Sequence, residues 1–132
     1  SGWSEQSESW YGEIGTAMAE SSGIWTFPTT GLWKIEFLPV MYDVASSRML
    51  GSQIFVTTNN TDYAYEALGQ EAMYATGSAN GYGQPLATML LDVSNVTNVK
   101  IKLYTYSDSV TATVDGGSTG SIITFTRVGA AD

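Results

Sequence analysis

The stretch from Gly23 to Phe37, G-I-W-T-F-P-T-T-G-L-W-K-I-E-F, leaves this chain little choice of backbone. Trp25 and Phe27 alternate with Thr26, which is the period of a strand. Pro28 has no N–H to give to a ladder, so pairing stops there. Gly31 accepts backbone angles that a side chain would block, and so suits a reversal. Beyond it, Trp33, Ile35 and Phe37 fall on one side of a second strand, with Lys34 and Glu36 on the other. The pattern predicts strand, reversal, strand, with three large side chains directed into a core.

The same periodicity recurs along the chain. Gln53–Thr58, Pro85–Val93, Val99–Tyr106, Val110–Val114 and Gly120–Val128 read as strands rich in β-branched and aromatic residues. Ile14–Met18 reads as a first short strand, and the strand beginning after Gly31 runs to about Tyr42 with an edge or bulge at Pro39. Asn59–Asp62, Ser94–Asn98 and Asp115–Ser118 carry turn chemistry, since Asn and Asp side chains bond nearby backbone groups. Asp43–Arg48 reads as a loop and Gly77–Gly83 as a flexible one. Tyr63–Thr76 holds good helix formers, but the all-β surroundings favour a strand broken at Gly69. Short strands with turns between them predict an all-β protein, an antiparallel two-sheet β-sandwich or jelly roll. Residues 1–13 read as an N-terminal arm carrying Trp3 and Trp10, and 14–132 as a single head domain.

Composition narrows the function. Five Lys and Arg stand against thirteen Asp and Glu, a net charge of −8 in 132 residues. Displacing counterions from nucleic acid needs clustered cations, so that partner class is excluded. No apolar run is long enough for a membrane span, and none is expected to insert. There is no Cys and no His. Thiol nucleophiles, a Ser-His-Asp triad and histidine metal ligands are therefore absent. Glu66 and Glu71 are the nearest approach to a paired-carboxylate site, a pairing that thirteen acids produce by chance, and the chain is read as a non-enzyme with no catalytic residues. Calcium needs converging oxygens; Asp43, Asp62, Asp108 and Asp115 lie in loops, but none forms a dense acidic loop. The expectation is no metal site and no cofactor, a structural calcium being the minor alternative. A polar, weakly charged surface suits a virion or extracellular setting.

Several strands are apolar on both faces. Leu86–Val93 is one; Ile122 and Val128 oppose Ile123 and Phe125 in the last strand; Phe55 opposes Ile54 and Val56. A simple sandwich strand alternates apolar-in and polar-out, so a second apolar face is covered either by a loop or the N-terminal arm or, the reading preferred here, by a partner subunit.

The pattern W-x-x-P-x-x-G-x-W-x-I-x-F at Trp25–Phe37 resembles the opening of the complement-1q / tumour-necrosis-factor superfamily. Leu86–Leu103 is similar to that family's strand pair across a tight turn, and Gly120–Phe125 to its closing strand. Thr124–Gly129 resembles the ending of versions found at the tips of bacteriophage tail fibres. The order fits over about residues 14–129, although Ser94-Val96-Asn98 stands where the family carries a Gly-Asp turn. The resemblance implies about ten short strands in jelly-roll topology, a compact homotrimer, and a ligand-binding head carried on a stalk.

Aromatic side chains give large contact area with a polar handle and stack on sugars. Trp25 and Trp33 are assigned to the core or an interface. Tyr82, in a Gly-rich loop with Asn80 beside it, is the candidate ligand-binding pair, and Tyr104 and Tyr106 share the lysine face of their strand. The expected function is receptor binding and adhesion by a trimeric head of a phage or virus tail fibre, or a similar adhesin, recognising a host-surface glycan or protein. The alternatives are a monomeric carbohydrate-binding module and a purely structural trimerisation or capsid-decoration domain.

Overall fold

The computed structural model describes residues 15–74, 79–116 and 120–132. All regular structure among them is strand: β1 (Ala19–Ser21), β2 (Ile24–Thr26), β3 (Gly31–Leu38), β4 (Val40–Asp43), β5 (Ser47–Thr57), β6 (Ala64–Met73), β7 (Gly81–Gly83), β8 (Ala87–Val93), β9 (Lys100–Ser107), β10 (Thr113–Asp115) and β11 (Ile122–Gly129). The 1–13 arm, with Trp3 and Trp10, lies outside the described residues.

Hydrogen bonding joins the strands into three antiparallel sheets, ordered β1-β2-β9-β5-β6, β11-β3-β8 and β10-β4-β7, where two were expected. Two prolines account for the extra division. Pro39 interrupts the ladder between β3 and β4, and Pro85 lies between β7 and β8. The two three-stranded sheets keep corresponding order, β11-β3-β8 continuing as β10-β4-β7. Together they form one interrupted layer opposite the five-stranded sheet, a sandwich-like arrangement.

The core lies between these layers. Trp33, Ile35 and Phe37 are buried, as their spacing predicts, against Ile54, Val56, Leu91 and Ile101, with Phe27 beside them. Phe27 and Trp33 meet at 5.3 Å between ring centroids, and Trp25 packs half-buried against Phe125 at 5.2 Å. Trp25 therefore belongs to the margin of the core. A second, smaller cluster of Met41, Leu50 and Met73 fills the space under β4. Burying a side chain of this size stabilises by about 1.5–3 kcal/mol, so these residues dominate the favourable side of folding.

Turn chemistry behaves as its residues dictate. Gly31 has φ 151°, and Arg127 Nε and the Gly129 carbonyl crowd the space a Cβ would take. Ser22 and Gly23 both have positive φ and close a two-residue hairpin between β1 and β2. The Asn59 side-chain oxygen accepts the N–H groups of Thr61 and Asp62 at 3.0 and 2.9 Å.

Five strand expectations need correction. The strand expected at Val110–Val114 is Thr113–Asp115, with residues 110–112 in turn or irregular backbone. The first described strand is Ala19–Ser21, and residues 15–18 are irregular. β5 starts at Ser47, inside the stretch read as a loop, because Ser47 pairs with Met73 of β6 across a bulge, and its hydroxyl also donates to the Asp108 carboxylate at 2.5 Å, just past β9. β6 runs through Gly69 without a break. The glycine is there because the Leu86 carbonyl oxygen lies 2.1 Å from where a Cβ would stand. Gly81–Gly83, read as loop, is a strand paired with β4.

Asp43 is buried at the end of β4. Its carboxylate accepts the Ser109 hydroxyl, the Ala45 N–H at 3.0 Å and the Thr111 hydroxyl at 2.8 Å. These bonds, Ser109 first, hold its pKa below the ordinary 3.8. A carboxylate depressed in this way contributes stability above its unfolded pKa, and that contribution is lost as the pH falls through the folded value. The melting temperature is expected to be flat from neutral pH down to about 5 and to fall below it. Asp43→Asn should lower the neutral-pH midpoint and make the acid decline shallower, read from circular-dichroism melts. An acid limb identical to wild type would contradict this assignment.

Candidate binding surface

The outer face of the five-stranded sheet is built from alternate residues of its central strands. β9 contributes Lys100, Lys102, Tyr104 and Tyr106; β5 contributes Gly51, Gln53 and Phe55; the edge strand β6 contributes Tyr65, Leu68 and Gln70. Tyr104 stands beside Gln53, and Lys102 beside Phe55, while Ile54 and Ile101 on the same strands face the core.

Phe55 lies half-buried at the centre, with the Tyr104 ring 5.0 Å and the Tyr65 ring 5.9 Å away. Tyr65 is 58% and Tyr104 48% exposed. Tyr106 lies across Gly51, its ring 1.9 Å from where a Cβ on that glycine would stand, so the glycine lets the ring settle onto the backbone. The Gln70 amide donates to the Tyr106 hydroxyl and also reaches the Met49 sulfur at 3.0 Å. Lys102 Nζ sits 4.0 Å above the Tyr63 ring, a cation–π contact that fixes the ammonium at the margin of the aromatic row. Burial, and secondarily the neighbouring Tyr104, push the Tyr63 phenol upward in pKa.

The carboxylates are placed elsewhere. Glu20 is opposite Trp25, on the core side of its strand, and Glu71 is opposite Leu50 with its carboxylate accepting the Gln84 N–H at 2.7 Å. Glu66 and Asp62 line an open cleft of about 490 Å³ between β6 and β8, floored by Val56, Met89 and Leu91. Asp108 lies past the far end of β9, and its carboxylate accepts from Ser47 and from the Met49 N–H and pairs with Arg48. Those contacts, Ser47 first, hold its pKa below the usual carboxylate range.

The predicted binding pair occupies a different place. Tyr82 sits on β7 opposite Tyr42, the rings 5.7 Å apart, and lines a shallow groove with Val40, Glu71 and Gln84. It is 61% exposed. Asn80 is exposed just before that strand. Neither lies on the five-stranded sheet. Of the aspartates considered for calcium, Asp43 and Asp108 are held by hydroxyl and N–H donors, and Asp62 accepts the Asn59 amide at 2.8 Å. Among the described residues no three acidic side chains form a group able to hold a metal ion.

The alternation Lys100, Lys102, Tyr104, Tyr106 is visible in the sequence. That Phe55 and Tyr65 join it is not, because the β5–β6 register shifts between Ile54 and Phe55. Compared with known proteins, the chain matches no family model and no curated sequence.

Gly51→Ala is expected to force Tyr106 off the sheet and destabilise by about 1–3 kcal/mol, the usual cost of overpacking. Tyr106→Ala in the same chain should relieve much of that cost, and a double-mutant cycle of denaturant melts measures it. Additive effects would contradict the ring placement.

Proposed function

We propose that this chain is the jelly-roll binding head of a homotrimeric fibre or adhesin, of the kind carried at bacteriophage tail tips, and that it recognises a host-surface glycan or protein. The observation that carries the reading is the exposed aromatic row Tyr104–Phe55–Tyr65 on a sheet face that makes no part of the core. Tyrosine-rich, rigid surfaces of this kind give contact area at low entropic cost. The trimer is supported by the other outer face. On β11-β3-β8, Leu90 (60% exposed) and Ile122 lie outward among threonines and the Lys34–Glu36 ion pair. Exposed apolar side chains on a sheet face are a feature of association surfaces. The resemblance of Trp25–Phe37 to the complement-1q / tumour-necrosis-factor pattern supports the same architecture. Three copies presenting one modest site each gain avidity from multivalency.

A monomeric carbohydrate-binding module is the second reading, favoured by the exposure of the same aromatic side chains, whose rings are inclined to Phe55 by 58° and 66°. Sedimentation at micromolar concentration separates the two. The proposal expects one species at three times the 14.1 kDa chain mass. A stable monomer would overturn the trimeric head and leave the module.

A further inference from the structure

The geometry points to a specific occupant for the outer face of β9-β5-β6: we propose that it is a platform for a carboxylate-bearing oligosaccharide, with uronate-type or sialate-type sugars. The inference rests on the reading of the chain as a binding head and names the ligand chemistry of that head.

Three observations carry it. First, the rings differ in role. Tyr106 lies on Gly51, while Tyr65 and Tyr104 flank Phe55 and keep about half of their surface free. Aromatic faces attract the apolar C–H faces of pyranose rings. Second, hydrogen-bonding groups are interleaved with the rings. Gln53 is the cross-strand neighbour of Tyr104, and the Gln70 amide is already oriented by the Tyr106 hydroxyl. Such groups match the hydroxyls of a sugar while leaving the rings to supply contact area.

Third, the charge on this face runs against the rest of the molecule. The chain has five cations and thirteen acids, yet two of the five, Lys100 and Lys102, stand on this face, and no outward register position of β9, β5 or β6 here carries a carboxylate. The neighbouring acids face the core side, line the β6–β8 cleft, or are engaged at the far end of β9. An anionic ligand approaching this protein is repelled by most of its surface and attracted here, and that contrast selects for position as well as for charge. A neutral glycan uses the rings but not the lysines, and a second acidic copy of this chain uses the lysines but has no need of the interleaved amides.

The test is titration of the full chain with oligogalacturonate, with oligosialate, and with methyl-esterified oligogalacturonate, which has the same rings without the charge. Calorimetry gives affinity, and aromatic and lysine side-chain NMR shifts give location. The proposal expects saturable binding of at least one acid, with shifts confined to Tyr65, Tyr104, Tyr106 and Lys102. The ester should bind about tenfold or more weakly, and about 0.5 M salt should weaken the acid further. Which acid binds identifies the source of the carboxylate. Tyr104→Ala should cost about tenfold for acid and ester alike, whereas Lys102→Gln, which keeps every ring, should weaken only the acid. Equal affinity for acid and ester, shifts mapping to the Tyr42–Tyr82 groove, or no binding of either acid would each overturn the platform. Shifts at Tyr82 would leave the binding-head reading standing, while a monomer in sedimentation would sink the trimer and leave the platform intact.

Discussion

The face-to-face contact of Trp33, Ile35 and Phe37 on β3 with Ile54, Val56 and Ile101 on the opposing sheet holds the two layers together. Each of these side chains is buried, and removing one large member costs about 3–5 kcal/mol, comparable with the whole net stability of many domains. The chain has no cysteine, so no disulfide shares the load. Everything the outer faces display follows from this contact. Once β3, β5 and β9 commit one side to the core, the period of two fixes which residues reach solvent.

The two outer faces that result differ in chemistry. The three-stranded face shows Leu90 and Ile122 among threonines around one ion pair. The five-stranded face shows tyrosines, amides and lysines. On the reading proposed above, the face with Leu90 and Ile122 would meet identical subunits and the aromatic and cationic face would meet the ligand. Tyr82 and the groove beside Glu71 form a third, smaller surface at the edge where β7 meets β6. Glu71 puts a carboxylate in that groove, which disfavours the anionic ligand proposed for the lysine face.

Legibility in the sequence tracks how local the cause is. β3 and β9 alternate cleanly, while β8 and β11, apolar on both faces, are legible from their β-branched and apolar content and the turn residues that bound them. The Ser22-Gly23 hairpin is equally local, since a Ser-Gly pair is a turn signal. Gly69 reads as a breaker until the Leu86 carbonyl, distant in sequence, is seen to occupy its Cβ position. The start of β5 at Ser47 depends on its pairing with Met73, distant in sequence, and on the Asp108 carboxylate that accepts its hydroxyl. For the same reason the candidate surface was only half legible. Tyr104 and Tyr106 share one strand with the lysines, but Phe55 and Tyr65 reach them through a bulged register that no local pattern encodes. The glycine neighbours of Tyr82 read as a loop, whereas cross-strand pairing with Tyr42 makes it part of a sheet.

The most direct test is a crystal structure of the assembled protein that includes its symmetry axis. The account predicts that neighbouring copies meet on the face carrying Leu90 and Ile122, and that Tyr65 and Tyr104 remain open to solvent. Burial of Tyr65 and Tyr104 between copies would contradict it, and would reassign the aromatic face to assembly.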